Sequence, residues 1–140
     1  MPFSITVLHP EDLDFVNRVP ENDDEMDQWI EEFQRRNLYE APLGAGGVVY
    51  LYWSGIGRQL HLPFIGAMYN EGLRLTTAEI PKLEIEMQQL ERYWQANDLV
   101  DVEKFDWDQV SAKKHLKERL RYLREAAKVA TRNRAVLIVS

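Results

Sequence analysis

Two apolar stripes of helical period, set close together, constrain this fold more than any other feature of the chain. Ile80, Leu83, Met87, Leu90 and Trp94 recur in alternating steps of three and four, and so do Leu116, Leu120, Leu123, Ala127 and Ala130. Such a stripe lies along one face of an α-helix and has to be buried against a partner. The 12-residue connection between them, NDLVDVEKFDWD, suits an antiparallel return. The pattern predicts a helical hairpin over residues 77–95 and 108–131. Thr76 or Thr77 supplies the first N-cap. Leu99, Val100, Phe105 and Trp107 predict that the connection packs down on the hairpin.

Strands are expected where β-branched and aromatic residues cluster. FSITVL at 3–8 and AVLIV at 135–139 are two of them. VVYLYW at 48–53 is apolar on both faces and reads as a central strand. Residues 38–47, with one Pro and three Gly, read as a loop. Pro10, with Glu11 and Asp12 behind it, starts a short helix that ends before Pro20. Asn22 and Glu25 have capping-box spacing and open a helix over 23–37, with Met26, Trp29, Ile30 and Phe33 on its inner side. Residues 63–71 read as a helix closed by Gly72, and 58–62 take no assignment. The expected class is α+β and mostly helical. A sheet of about three strands (3–8, 48–53, 135–139) packs against the hairpin and the N-terminal helices. At 140 residues the chain fits one domain spanning 1–140.

Charge is sorted by position. Residues 1–40 carry eleven acids and three bases, a formal −8. Residues 113–134 carry nine bases and two acids, a formal +7, inside a chain of net −6. Lys113, Lys117, Arg121, Arg124, Lys128 and Arg132 step by three or four along one side of the second hairpin helix. Asp23, Asp27 and Glu31 step by four along the acidic helix. These two faces either pair within the molecule or present a surface to a partner. Glu79, Glu84, Glu86 and Glu91 of the preceding helix are the nearest candidates to neutralise the basic stripe, at about 0–1 kcal/mol for each exposed pair.

Few residues carry a chemical reading. There is no cysteine, which excludes disulfides, thiolate metal sites and cysteine nucleophiles. His9, His61 and His115 have no metal-ligand spacing, so neither metal nor cofactor is expected. His61, alone among them in an apolar context, reads as a core histidine. The segment from Tyr50 to Gly72 mixes Trp53, Arg58, His61, Tyr69 and Glu71 with glycines, and is where a small-molecule pocket is expected. Its Gly55-Ile56-Gly57 lacks the third glycine and the spacing of a phosphate loop.

The expected function is that of a small acidic interaction protein working through protein–protein contact on a charge-segregated surface. Single-domain toxin antidotes and adaptor subunits share this physique. The partner surface is Asp23, Asp27, Glu31, Lys113, Lys117, Arg121, Arg124 and Lys128. The partner is another protein, basic where it meets the acidic half, and the aromatic content leaves room for a homodimer. One alternative is a small enzyme or ligand-binding domain with its pocket around 50–72. A weaker one is contact of the basic helix 113–134 with anions or nucleic acid, which the acidic balance of the whole chain disfavours. No basic, apolar leader is seen, and no apolar run approaches the roughly 20 residues of a membrane span. A cytoplasmic location follows as the expectation.

Overall fold

The computed structural model describes residues 2–140. Four strands form one antiparallel sheet: β1 (Pro2–Leu8), β2 (Tyr39–Ala45), β3 (Leu73–Leu75) and β4 (Val136–Val139), in the order β2-β1-β4-β3. Ile5 pairs with Val139, which pairs with Leu73; Val7 pairs with Leu137, which pairs with Leu75. Residues opposite one another share a face, so these six side chains form two apolar rows, and all six are buried. The two end strands, 3–8 and 135–139, stand where the sequence predicts them.

The expected strand at 48–53 is helical instead. The chain coils without a break through Gly46–Val48, a π-helical stretch Val49–Gly55, and Ile56–Gln59, together α3. Its buried apolar side chains are Val48, Val49, Tyr52, Trp53 and Ile56. They recur every four residues, a helical interval, whereas a strand would alternate. β-branched and aromatic content misleads here because burial against neighbours outweighs intrinsic propensity. One edge of the sheet is β2, in a segment that the sequence reads as a loop, and the other is β3, to which the sequence assigns no strand. Pro42 is tolerated because β2 is an edge strand, and the register shifts between Phe3 and Ser4, opposite Gly44.

α3 folds back on α4 (Pro63–Glu71) at very close range. A Cβ on Gly57 would lie 2.8 Å from the Gly66 amide nitrogen. Buried Ser54 donates from its hydroxyl to the Ile65 carbonyl and accepts the Tyr69 N–H, both at 2.9 Å. Those two groups belong to one i→i−4 rung of α4, so a side chain of one helix is stitched into the ladder of the other. A Cβ on Gly55 would lie 2.8 Å from the Tyr50 carbonyl, five residues back. The π-helical turn thus requires a residue without a side chain at that point.

The hairpin forms as the stripes predict. α5 (Ile80–Ala96) and α6 (Gln109–Asn133) bury all ten stripe residues, and α6 lies across β1 and β2. Asp108 caps α6 by accepting the Ser111 N–H at 2.7 Å. The connection packs down: Gln109 bonds both the N–H and the carbonyl of Leu99 at 2.7 Å, and Tyr52 donates to the Val100 carbonyl at 2.6 Å.

The N-terminal part is a satellite. A 3₁₀ turn (Pro10–Asp12) leads into α1 (Leu13–Val16), and α2 (Asp23–Arg36) starts at Asn22, whose side chain accepts the Glu25 N–H at 2.8 Å. Phe15, Trp29 and Phe33 stack in series, and Arg36 lies over the Phe15 ring. No residue of α2 is buried.

Candidate functional site

The hairpin carries the most strongly charged concavity. Along the seam of α5 and α6, two adjoining hollows of about 250 and 530 Å³ share Glu91, Lys114 and Lys117 in their walls. Together they are lined by Lys113, Lys114, Lys117, Arg121 and Arg124 against Glu91 and Glu118, a formal +3. Trp94 and Gln95 close one end. The helical repeat explains the arrangement: Leu116, Leu120 and Leu123 face the core, so the intervening bases are carried to the rim.

The electrostatics of the groove are largely uncompensated. Arg124 makes a two-pronged bond to Glu91 at 3.1 and 3.2 Å, and Lys128 reaches Glu125 at 3.5 Å. Among the described residues, no carboxylate pairs with the other seven bases of 113–134. Glu118 accepts the Tyr122 hydroxyl at 2.7 Å, which holds its carboxyl below the usual range, so it stays charged. His115 packs on Trp107 with ring centres 4.7 Å apart. Burial, with Arg119 beside it, pushes this imidazole below its ordinary value against the opposing pull of Glu118.

The acidic face stands apart from this groove. Asp23, Asp27 and Glu31 are exposed. Ion pairs of the N-terminal part stay within it: Arg36 with Asp12 and Glu32, and Arg35 with Glu32. No ion pair among the described residues joins the acids of 1–40 to the bases of 113–134.

Of the four acids considered as neutralisers, only Glu91 pairs with the stripe. Glu86 turns inward and accepts the backbone N–H groups of Phe64 and Ile65 at the start of α4. Lys114 stands three residues before Lys117 and so joins the same side of α6, whereas Gln95 enters the groove wall only through the packing of α5 on α6.

A second concavity gathers part of the 50–72 set. Arg58, His61 and Glu71, with Asn70, line a cavity of about 460 Å³ floored by Gly66 and Ala67. His61 is exposed, which corrects its reading as a core histidine. It stands just beyond Leu60, the C-cap of α3, with φ of 60°, and the pair of bonds from Leu62 N–H to the Gly57 carbonyl and from His61 N–H to the Arg58 carbonyl ends the helix. Tyr69 lines a neighbouring hollow with Phe3 and Asn70. It meets Tyr50 edge-on at 5.0 Å, and the Arg58 guanidinium lies 5.7 Å from the Tyr50 ring. Trp53 is not part of this surface: it is fully buried, edge-on to Trp94 at 5.1 Å.

Among the described residues, no three histidine, cysteine or acidic side chains converge as metal ligands, and no helix is long and apolar enough to cross a membrane. No protein-family model, curated protein or solved structure matches the chain.

Proposed function

We propose that this protein is a binding protein that receives an acidic polypeptide segment in the groove between α5 and α6. One observation carries the reading: five bases line a groove of net +3, and the acidic half of the same chain does not cover it. A long anionic segment would exchange water for several cations at once, and the attraction weakens as salt rises. Two acids among the bases, and no exposed aromatic in the groove wall on which a base would stack, favour polypeptide over nucleic acid. This places the acidic complement on the partner, whereas the acidic α2 face by itself would call for a basic one.

The test is fluorescence anisotropy with labelled poly-L-glutamate and a single-stranded oligonucleotide of equal charge. Poly-L-glutamate is expected to bind in about 50 mM salt and to dissociate in about 500 mM. Lys114→Glu/Lys117→Glu is expected to weaken it by about tenfold or more. Preference for the oligonucleotide, or binding unaffected by the double variant, overturns the reading.

A second reading, a small-ligand site, is favoured by the convergence of Arg58, His61 and Glu71 on one cavity. Its expected result is a set of amide shifts confined to residues 58–71 when the protein is titrated with a mixture of small polar metabolites in ¹H–¹⁵N spectra. Shifts confined to the hairpin, or none, remove it.

A further inference from the structure

We propose that the acidic segment seated in the groove is α2 of a second copy of this chain, so that the molecule carries both halves of one interface. The proposal rests on the reading of the groove as a site for acidic polypeptide. It is carried by a match of spacing. Lys113, Lys117 and Arg121 step by four along α6, and Asp23, Asp27 and Glu31 step by four along α2. Each step advances about 6 Å along a helix axis, so three carboxylates meet three cations without a change of register. Rows of this kind lie alongside one another when two helices cross at about −50°, the commonest packing class.

Both rows are available. Asp23, Asp27, Glu31, Lys117 and Arg121 are exposed and Lys113 is half-buried, and none of the six is in an ion pair among the described residues. α2 buries none of its residues, and Ile30, which the sequence spacing places on the inner side, is instead 42% exposed beside Glu31 and adds an apolar contact to the outer face. The chain's net charge of −6 opposes self-association only at long range. At contact, the −8 of residues 1–40 meets the +7 of 113–134, and a local match of sign governs docking. The contact is between unlike patches. It closes as a dimer where a two-fold axis makes it twice, and otherwise continues head to tail.

Sedimentation velocity over a range of protein concentrations tests this. In about 20 mM salt the mass is expected to rise above the 16.5 kDa monomer with concentration, and to return to it in about 500 mM salt. Asp27→Lys/Glu31→Lys and Lys117→Glu/Arg121→Glu reverse the two rows separately and leave Asp23 at the helix start. Each alone is expected to weaken assembly by about tenfold or more. Mixing the two variants is expected to restore a complex, because the reversed α2 of one then fits the reversed groove of the other. Far-UV circular dichroism equal to the parent shows that both variants fold. A parent that stays monomeric in low salt while still binding poly-L-glutamate overturns self-association and leaves the groove reading standing. Loss of both overturns both. Assembly that survives both reversals, or a mixture that does not recover, overturns the proposed contact.

Discussion

Gly72→Ala is expected to lower the stability of the fold by about 2–5 kcal/mol, read as a shift of the urea midpoint with the slope unchanged. Two costs coincide there. Gly72 has φ of 67° and ψ of −167°, a region that residues with a Cβ hardly enter. A Cβ at this position would also lie 2.6 Å from the Val139 carbonyl oxygen. That oxygen belongs to β4, whose Val139 pairs with Ile5 on one side and Leu73 on the other, so the clash cannot be relieved without disturbing the sheet. Gly72 also closes α4 through its N–H to the Met68 carbonyl at 2.8 Å. Gly47→Ala is the control, because its Cβ would meet only the Phe105 ring at 3.3 Å, a side chain able to shift. Alanine also suits a helical position better than glycine, by about 1 kcal/mol. A loss below about 1 kcal/mol at Gly72 would mean that the turn from α4 to β3 is not held as described.

The same turn shows what the sequence discloses and what it hides. Gly72 marks the helix end by its type alone, and Asn22, Asp108 and the two stripes are equally explicit, since each acts within one or two helical turns. The run Val48–Trp53 is not explicit. It is apolar at every position, so nothing in it distinguishes a strand covered on both faces from a helix packed on most sides. What decides is the approach of Gly57 to Gly66 and the bond from Ser54 to Ile65, contacts across nine and eleven residues that local preference does not encode. β2 is hidden for the opposite reason. Its Pro42 and Gly44 are turn-formers by type, and only the neighbouring β1 makes them an edge with a bulge. Three-residue β3 carries too few side chains to show a period. At the candidate sites, the bases of α6 are legible because one helix holds them, while Glu91, Trp94 and Gln95 join them only through packing. Arg58, His61 and Glu71 are brought to one cavity, but Trp53 is turned into the core by α3, the helix whose apolar run resembles a strand.

Glu86→Ala is expected to cost about 2–6 kcal/mol, since two donors, the half-buried amide of Phe64 and the buried amide of Ile65, lose their acceptor at about 1–3 kcal/mol each. α4 begins without a cap of its own. Leu62 has no side-chain acceptor and Pro63 has no N–H, so the first free donors are the amides of Phe64 and Ile65. The Glu86 carboxylate, buried on α5, accepts both at 3.1 and 2.9 Å and places its charge at the positive end of the helix dipole. Burial pushes this carboxyl above its ordinary value near 4.5, and the two amides pull it back only in part. The sign of the pH dependence follows. A carboxyl with a raised value in the fold holds its proton longer there than in the unfolded chain. Its contribution is therefore full below about pH 4.5 and declines as pH rises through the folded value. Glu86→Gln keeps an acceptor and cannot ionise, so its stability relative to the parent is expected to improve between about pH 4 and pH 7, as urea midpoints would record. A parent that instead gains on the glutamine variant over that interval would show that the amides outweigh the burial. Leu62 and Pro63 also line the cavity beside His61, so Glu86→Ala is expected to move the amide resonances of residues 58–66 while leaving those of Lys113–Arg121 in place.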